Sequence, residues 1–139
     1  QLFQIMRQLN LTYPEMEQMF RRMVFNAYAR NCDDHTKNHS FLMDKSGKWR
    51  LAPAYDMCFA YNPTNFWVKR HALSINHKRE KFAIDDFMEV AKLINCRKPE
   101  AIVSEVKNVV SHWQDFAHEA HVDESLNRMI SDNIMVDVG

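Results

Sequence analysis

Glycine is nearly absent from these 139 residues, with only Gly47 and Gly139 present. An enzyme that covers nucleotide phosphates with a glycine-rich loop needs several glycines close together. No such loop lies in this stretch. Lysine is also missing upstream of residue 31, where Arg7, Arg21, Arg22 and Arg30 are the only basic residues. Cysteine is scarce: Cys32, Cys58 and Cys96 lie far apart with no Cys-x-x-Cys step. An odd count without a framework suits a reducing, cytoplasmic setting. No run reaches the roughly 18 apolar residues of a membrane-spanning helix. The first residues lack the basic-then-apolar order of a signal peptide. Net charge is missing too, since 18 Lys and Arg balance 18 Asp and Glu. That balance excludes a strong field for recruiting nucleic acid or an anionic membrane. There is no internal repeat.

What is present is ordinary for one globular domain: 46% apolar and 26% charged residues. Residues 2–9 read as the end of a helix, broken at Leu11-Thr-Tyr-Pro14. Pro14 suits the first turn of the next helix. From Glu15 to Ala29, Met16, Met19, Phe20, Met23, Val24, Ala27 and Tyr28 trace one helical face. Ser40–Met43 and Trp49–Ala52, flanking a turn with Gly47, predict a β-hairpin. Residues 57–82 read as irregular, with a short extended piece at His71–Ile75. Asp85 is expected to cap a helix reaching Leu93. Pro99 is expected to open the longest helix, with Ile102, Val103, Val106, Val109, Val110, Trp113, Phe116 and Ala117 on its face. A last helix is expected over Glu124–Ile134, with Leu126, Met129 and Ile130 inward. The fold class is therefore mainly α with a small antiparallel hairpin.

The chemistry gathers in Asn31-Cys-Asp-Asp-His-Thr-Lys-Asn38 and in Leu51-Ala-Pro-Ala-Tyr-Asp56. Asp33 and Asn38 are five apart, and Asp56 lies eighteen beyond Asn38. Phosphoryl transfer from Mg-nucleotide asks for this set: a carboxylate to take a hydroxyl proton, and an amide oxygen and a second carboxylate for the metal. Protein kinases use the same Asp-x-x-x-x-Asn step. The hairpin explains the eighteen-residue gap, because antiparallel strands return Asp56 to the side of Asn38. Mg²⁺ takes few protein ligands, so Asn38 and Asp56 suffice. Asp34 competes with Asp33 for the role of base; the spacing selects Asp33. Asp34 then faces solvent or supports the loop from behind. Loop capping is the plainer role for Asn38 and Asp56, and a solvated loop position the plainer one for Lys37.

The extended string Asp33-x-His35-x-Lys37-Asn38-x-Ser40-Phe41, followed by Leu51–Asp56, resembles the C-terminal domain of the HipA-type serine/threonine kinases. These are the toxins of bacterial toxin–antitoxin pairs. Trp67, His71-Ala-Leu-Ser-Ile-Asn76 and Trp113-Gln-Asp-Phe-Ala117 follow in the family's order. One departure is His77, where the family usually has Gly, which puts that turn's geometry in question.

The resemblance implies that residues 1–139 are one kinase C-lobe, with a catalytic loop at 31–38, a metal-binding segment at 51–56 and the N-lobe outside this chain. Asp33 is then the general base. His35, Thr36, Lys37, Asn38, Tyr55 and Asp56 are the nucleotide-binding residues, and Asn38 and Asp56 also hold Mg²⁺. The implied substrates are ATP and a serine of a protein, aminoacyl-tRNA synthetases being the family's class. The implied partner is a small DNA-binding antitoxin. Two rivals remain: a partner-binding module without catalysis, and a metal-dependent phosphohydrolase using Asp33, Asp34 and His35. The Met16, Met19 and Met23 run reads as core. Lys78–Lys81 reads as a solvated loop.

Overall fold

A computed structural model describes residues 1–139. Helices α1 (Leu2–Gln8), α2 (Tyr13–Tyr28), α3 (Ile84–Leu93), α4 (Pro99–Ser111), α5 (Trp113–Glu119) and α6 (Glu124–Ser131) accompany one hairpin, β1 (Phe41–Met43) and β2 (Trp49–Leu51). The fold is mainly α with a small antiparallel hairpin, as the sequence pattern predicts.

Helix α2 organises the rest. At its start the Glu15 carboxylate accepts the N–H and the hydroxyl of Thr12, each at 2.7 Å. Its other oxygen takes the Leu51 N–H at 2.7 Å, which ties the helix to β2. The expected apolar face packs Phe20, Val24, Ala27 and Tyr28 into a core with Phe87 of α3 and Val103, Val106 and Val110 of α4. Met16 and Met19 form a smaller core with Met6 and Leu11, on which Phe41 and Leu51 rest. Helix α2 ends where Arg30 turns left-handed at φ +54. The Asn31 N–H then bonds back to the Asn26 carbonyl at 2.9 Å, a Schellman closure. The chain is thus handed straight into the loop that follows.

Four expectations are corrected. Ala83, not Asp85, is the N-cap of α3, and Asp86 takes the Ala83 N–H at 2.8 Å. The helix opened by Pro99 stops at Ser111 and is shorter than α2. Ser111 Oγ donates to the Asn108 carbonyl at 2.6 Å and His112 Nδ1 lies 2.7 Å from the same oxygen. These side chains compete with the backbone for the helix's own acceptor. The apolar face runs on across the break, which hides it from a periodicity reading, yet Val109 and Phe116 are exposed. Helix α6 ends at Ser131, and Leu126 and Met129 stay exposed while Ile130 is buried. Lys78–Lys81 is not a free loop: Lys78 Nζ meets Asp86 at 2.7 Å and Arg79 Nε donates to the His71 carbonyl at 2.5 Å.

Candidate active site

The loop after α2 is held between two later segments, around Ala60 and Ala72, the second of which bends at 72–73 rather than running extended. The Cys32 N–H bonds to the Ala60 carbonyl at 3.0 Å, and the Cys32 carbonyl accepts the Ala72 N–H at 3.1 Å. From this fixed start the loop passes Asp33 and Asp34 and closes in a single 3₁₀ turn, Thr36–Asn38. The hairpin begins three residues later. Its register pairs Phe41 with Leu51 and Met43 with Trp49, and Ala52 N–H to the Ser40 carbonyl extends the ladder. The turn is drawn together by Asp44 Oδ1, which accepts from Ser46 and Lys48. Gly47 supplies the left-handed φ of +83 there.

The hairpin returns Asp56 to Asn38. The Asn38 Nδ2 donates to Asp56 Oδ2 at 2.8 Å and to the Asp33 carbonyl at 3.0 Å. With Nδ2 so occupied, Oδ1 is the amide's free donor atom. Asp56 itself sits at φ +53, a region Asp tolerates better than most residues. Its carbonyl is held by Asn31 Nδ2 at 3.1 Å. Such a conformation persists where surrounding bonds over-determine it. Next to it, burial pushes the Cys58 thiol pKa up, and the Asp56 and Asp33 charges add to the effect.

Of the remaining predicted residues, His35 Nε2 lies 3.8 Å from Asp33 Oδ1, with both side chains about half exposed. Thr36 and Lys37 are exposed. The Tyr55 hydroxyl donates to the Lys37 carbonyl at 2.6 Å, so it bridges the two motif segments from the surface rather than entering the core. Asp33, Asn38 and Asp56 are therefore gathered at one end of the hairpin, with His35, Lys37 and Tyr55 around them. Asparagine and carboxylate oxygens are the hard donors that Mg²⁺ prefers, so this set fits that ion.

Asp34 does not face solvent. It is buried, and Oδ2 lies 3.1 Å from His71 Nδ1 while Oδ1 accepts the N–H groups of Ala72 and Leu73 at 2.7 and 3.2 Å. Asp33, Asp34 and His35 thus do not converge on one ion. His71, in the segment expected to be extended, is 1% exposed and was not a candidate from sequence. Its partner is thirty-seven residues away, with no local spacing to signal it. Arg22 is likewise buried, and its Nη2 donates to the Ala52 carbonyl at 2.9 Å. Desolvation lowers its pKa.

The turn at His77 answers the question its identity raises. Ile75 and Lys78 exchange backbone hydrogen bonds at 2.9 and 3.0 Å around Asn76 and His77, at φ +47 and +68. Two positive φ values make this the turn that usually takes Asn-Gly. The glycine geometry is kept without the glycine.

The fold and site together make a helical domain that carries a polar loop beside a small hairpin. Residues 1–114 match the model of the HipA-like C-terminal domain, and the chain belongs to that family. Comparisons with curated proteins and with solved structures gave no match. No helix is long and apolar enough to cross a membrane.

Proposed function

We propose that this chain is the C-terminal catalytic lobe of a HipA-like Ser/Thr protein kinase, acting on a serine of a protein with ATP. The observation that carries the reading is the contact of Asn38 with both Asp56 and the Asp33 carbonyl. One amide sets the spacing between a would-be base and a would-be metal carboxylate. Asn38 Oδ1 and Asp56 would hold Mg²⁺, which when bound neutralises phosphate charge. Asp33 accepts the proton of the serine hydroxyl as its oxygen attacks the γ-phosphorus and ADP leaves. Lys37 and His35 line the phosphate side, Thr36 lies beside them, and Tyr55 fixes the Lys37 backbone. The proposed setting is the cytoplasm, with an aminoacyl-tRNA synthetase as the class of target and a small DNA-binding antitoxin as partner.

The scarcity of glycine favours a second reading, a partner-binding module that transfers no phosphate. Mn²⁺ with a non-hydrolysable ATP analogue separates the two. Paramagnetic broadening of amide signals confined to residues 33–38 and 55–58, and lost in Asp56→Ala, supports the kinase lobe. Broadening absent from these segments supports the binding module.

A further inference from the structure

We propose that His71 is a positioning residue for the loop that carries Asp33, its imidazole clamped between Asp34 of that loop and Asp137 of the C-terminal tail. The role assigned to Asp33 rests on the kinase reading; the clamp itself rests on geometry. Asp34 directly follows Asp33, and the hydrogen bonds of its carboxylate go to residues 71–73. A shift of that segment therefore moves the Asp33 backbone. On the other side of the ring, Nε2 lies 3.9 Å from Asp137 Oδ2. This is an ion-pair distance, too long for a hydrogen bond.

The tail is anchored in turn. Asp137 Oδ1 accepts the Lys81 N–H and its carbonyl accepts the Phe82 N–H, both at 2.8 Å. The Met135 N–H reaches the Tyr28 carbonyl at the end of α2, also at 2.8 Å. The Phe82 ring meets the imidazole edge-on at 5.3 Å. His71's own backbone is fixed by Arg79, which accepts its N–H at 3.0 Å and donates Nε to its carbonyl. The groups that face the ring are thus Asp34, Asp137, Cys32 and Phe82, with Arg79 on its backbone.

Two carboxylates buried against one ring are costly unless the ring carries a proton. Burial alone would lower the His71 pKa. The Asp34 hydrogen bond and charge, with a contribution from Cys32, more than offset it and raise the value to about 9. Asp137 lies beyond the 1–114 stretch that matches the family model, so the family pattern does not describe this half of the clamp.

Nitrogen-detected NMR of the 139-residue chain, with Asp137→Asn and His71→Gln beside it, tests the clamp. The His71 ring should titrate near pH 9, and the Asp33–His35 amides should follow with the same midpoint. Both midpoints should fall together in Asp137→Asn, and the amide titration should vanish in His71→Gln. A ring that titrates in the ordinary histidine range, or loop amides that ignore it, overturns the proposal. In a protein that joins this chain to the nucleotide-covering lobe the kinase reading requires, Asp137→Asn should lower kcat about tenfold with the KM for ATP within about twofold, as expected for a misplaced base. An unchanged kcat and pH profile in an active protein also overturns it. If the wild-type protein transfers no phosphate while the amides still follow the ring, the kinase reading fails and the clamp stands.

Discussion

At the residue scale Asn38 meets Asp56, as the hairpin predicts, through its Nδ2, which also reaches the Asp33 carbonyl. The Asp33–Asn38–Asp56 set was legible because two of its members are local to one loop and the third is returned by a hairpin with a readable turn. The contact of Asn38 Nδ2 with the Asp33 carbonyl could not be read, since it depends on the rotamer the loop imposes. His77 gives the plainest test at this scale. Its side chain is exposed and its φ is +68, a conformation that costs an L-residue roughly 1–2 kcal/mol. Glycine removes that cost but adds freedom to the unfolded chain, worth about 0.5–1 kcal/mol. His77→Gly should therefore raise the thermal midpoint by about 2–4 °C, as read by circular dichroism. A fall would mean that the imidazole has a stabilising role its exposure does not reveal.

At the scale of elements, α2 and the hairpin act as one unit because Glu15 serves both. Burial raises its pKa, but the bonds from Thr12 and Leu51 outweigh this and leave the carboxyl below its ordinary range. Its stabilising contribution is present above the unfolded-state pKa and is lost as pH falls through the folded value. Glu15→Ala should destabilise the chain by about 1–2 kcal/mol, measured by urea unfolding, and should loosen the pairing of β2. Asp86 shows the opposite side of legibility. The sequence pointed to Asp85 as the cap, because a carboxylate ahead of an apolar run is the usual sign. The chain instead starts α3 at Ile84, since Asp86 can take the Ala83 N–H, the Lys78 ammonium and the Asn76 amide together. That choice is made by tertiary partners. The break between α4 and α5 was hidden for a related reason: the apolar period continues through it, while the competing bonds come from polar side chains.

Across the whole molecule, the helical lobe presents the 33–38 loop on a scaffold closed by its own C-terminal tail. The closing contacts join residues 34, 71 and 137, too distant in sequence for any spacing argument. They give the fold a pH signature. The His71 pKa is raised from 6.5 to about 9 in the folded chain. Its contribution is thus fully present below the unfolded value and disappears as pH rises through about 9. The shift corresponds to about 3 kcal/mol, so unfolding between pH 6 and 10 should show an alkaline loss that His71→Gln lacks. The scarcity of glycine makes a second prediction at this scale. Without a loop to cover phosphates, the 139-residue chain alone should transfer phosphate negligibly, because positioning supplies most of the catalysis in this reaction. Robust transfer by the isolated chain would contradict that. The central claim meets its most direct test in a protein that joins this chain to the nucleotide-covering lobe the kinase reading requires, by transfer of labelled γ-phosphate from ATP to protein serine for wild type and Asp33→Asn. Wild type should transfer, and Asp33→Asn should lose two to four decades in rate while binding ATP within about twofold of wild type. Equal transfer by both proteins would contradict the assignment of Asp33 as the base, and no transfer by either would contradict the kinase itself.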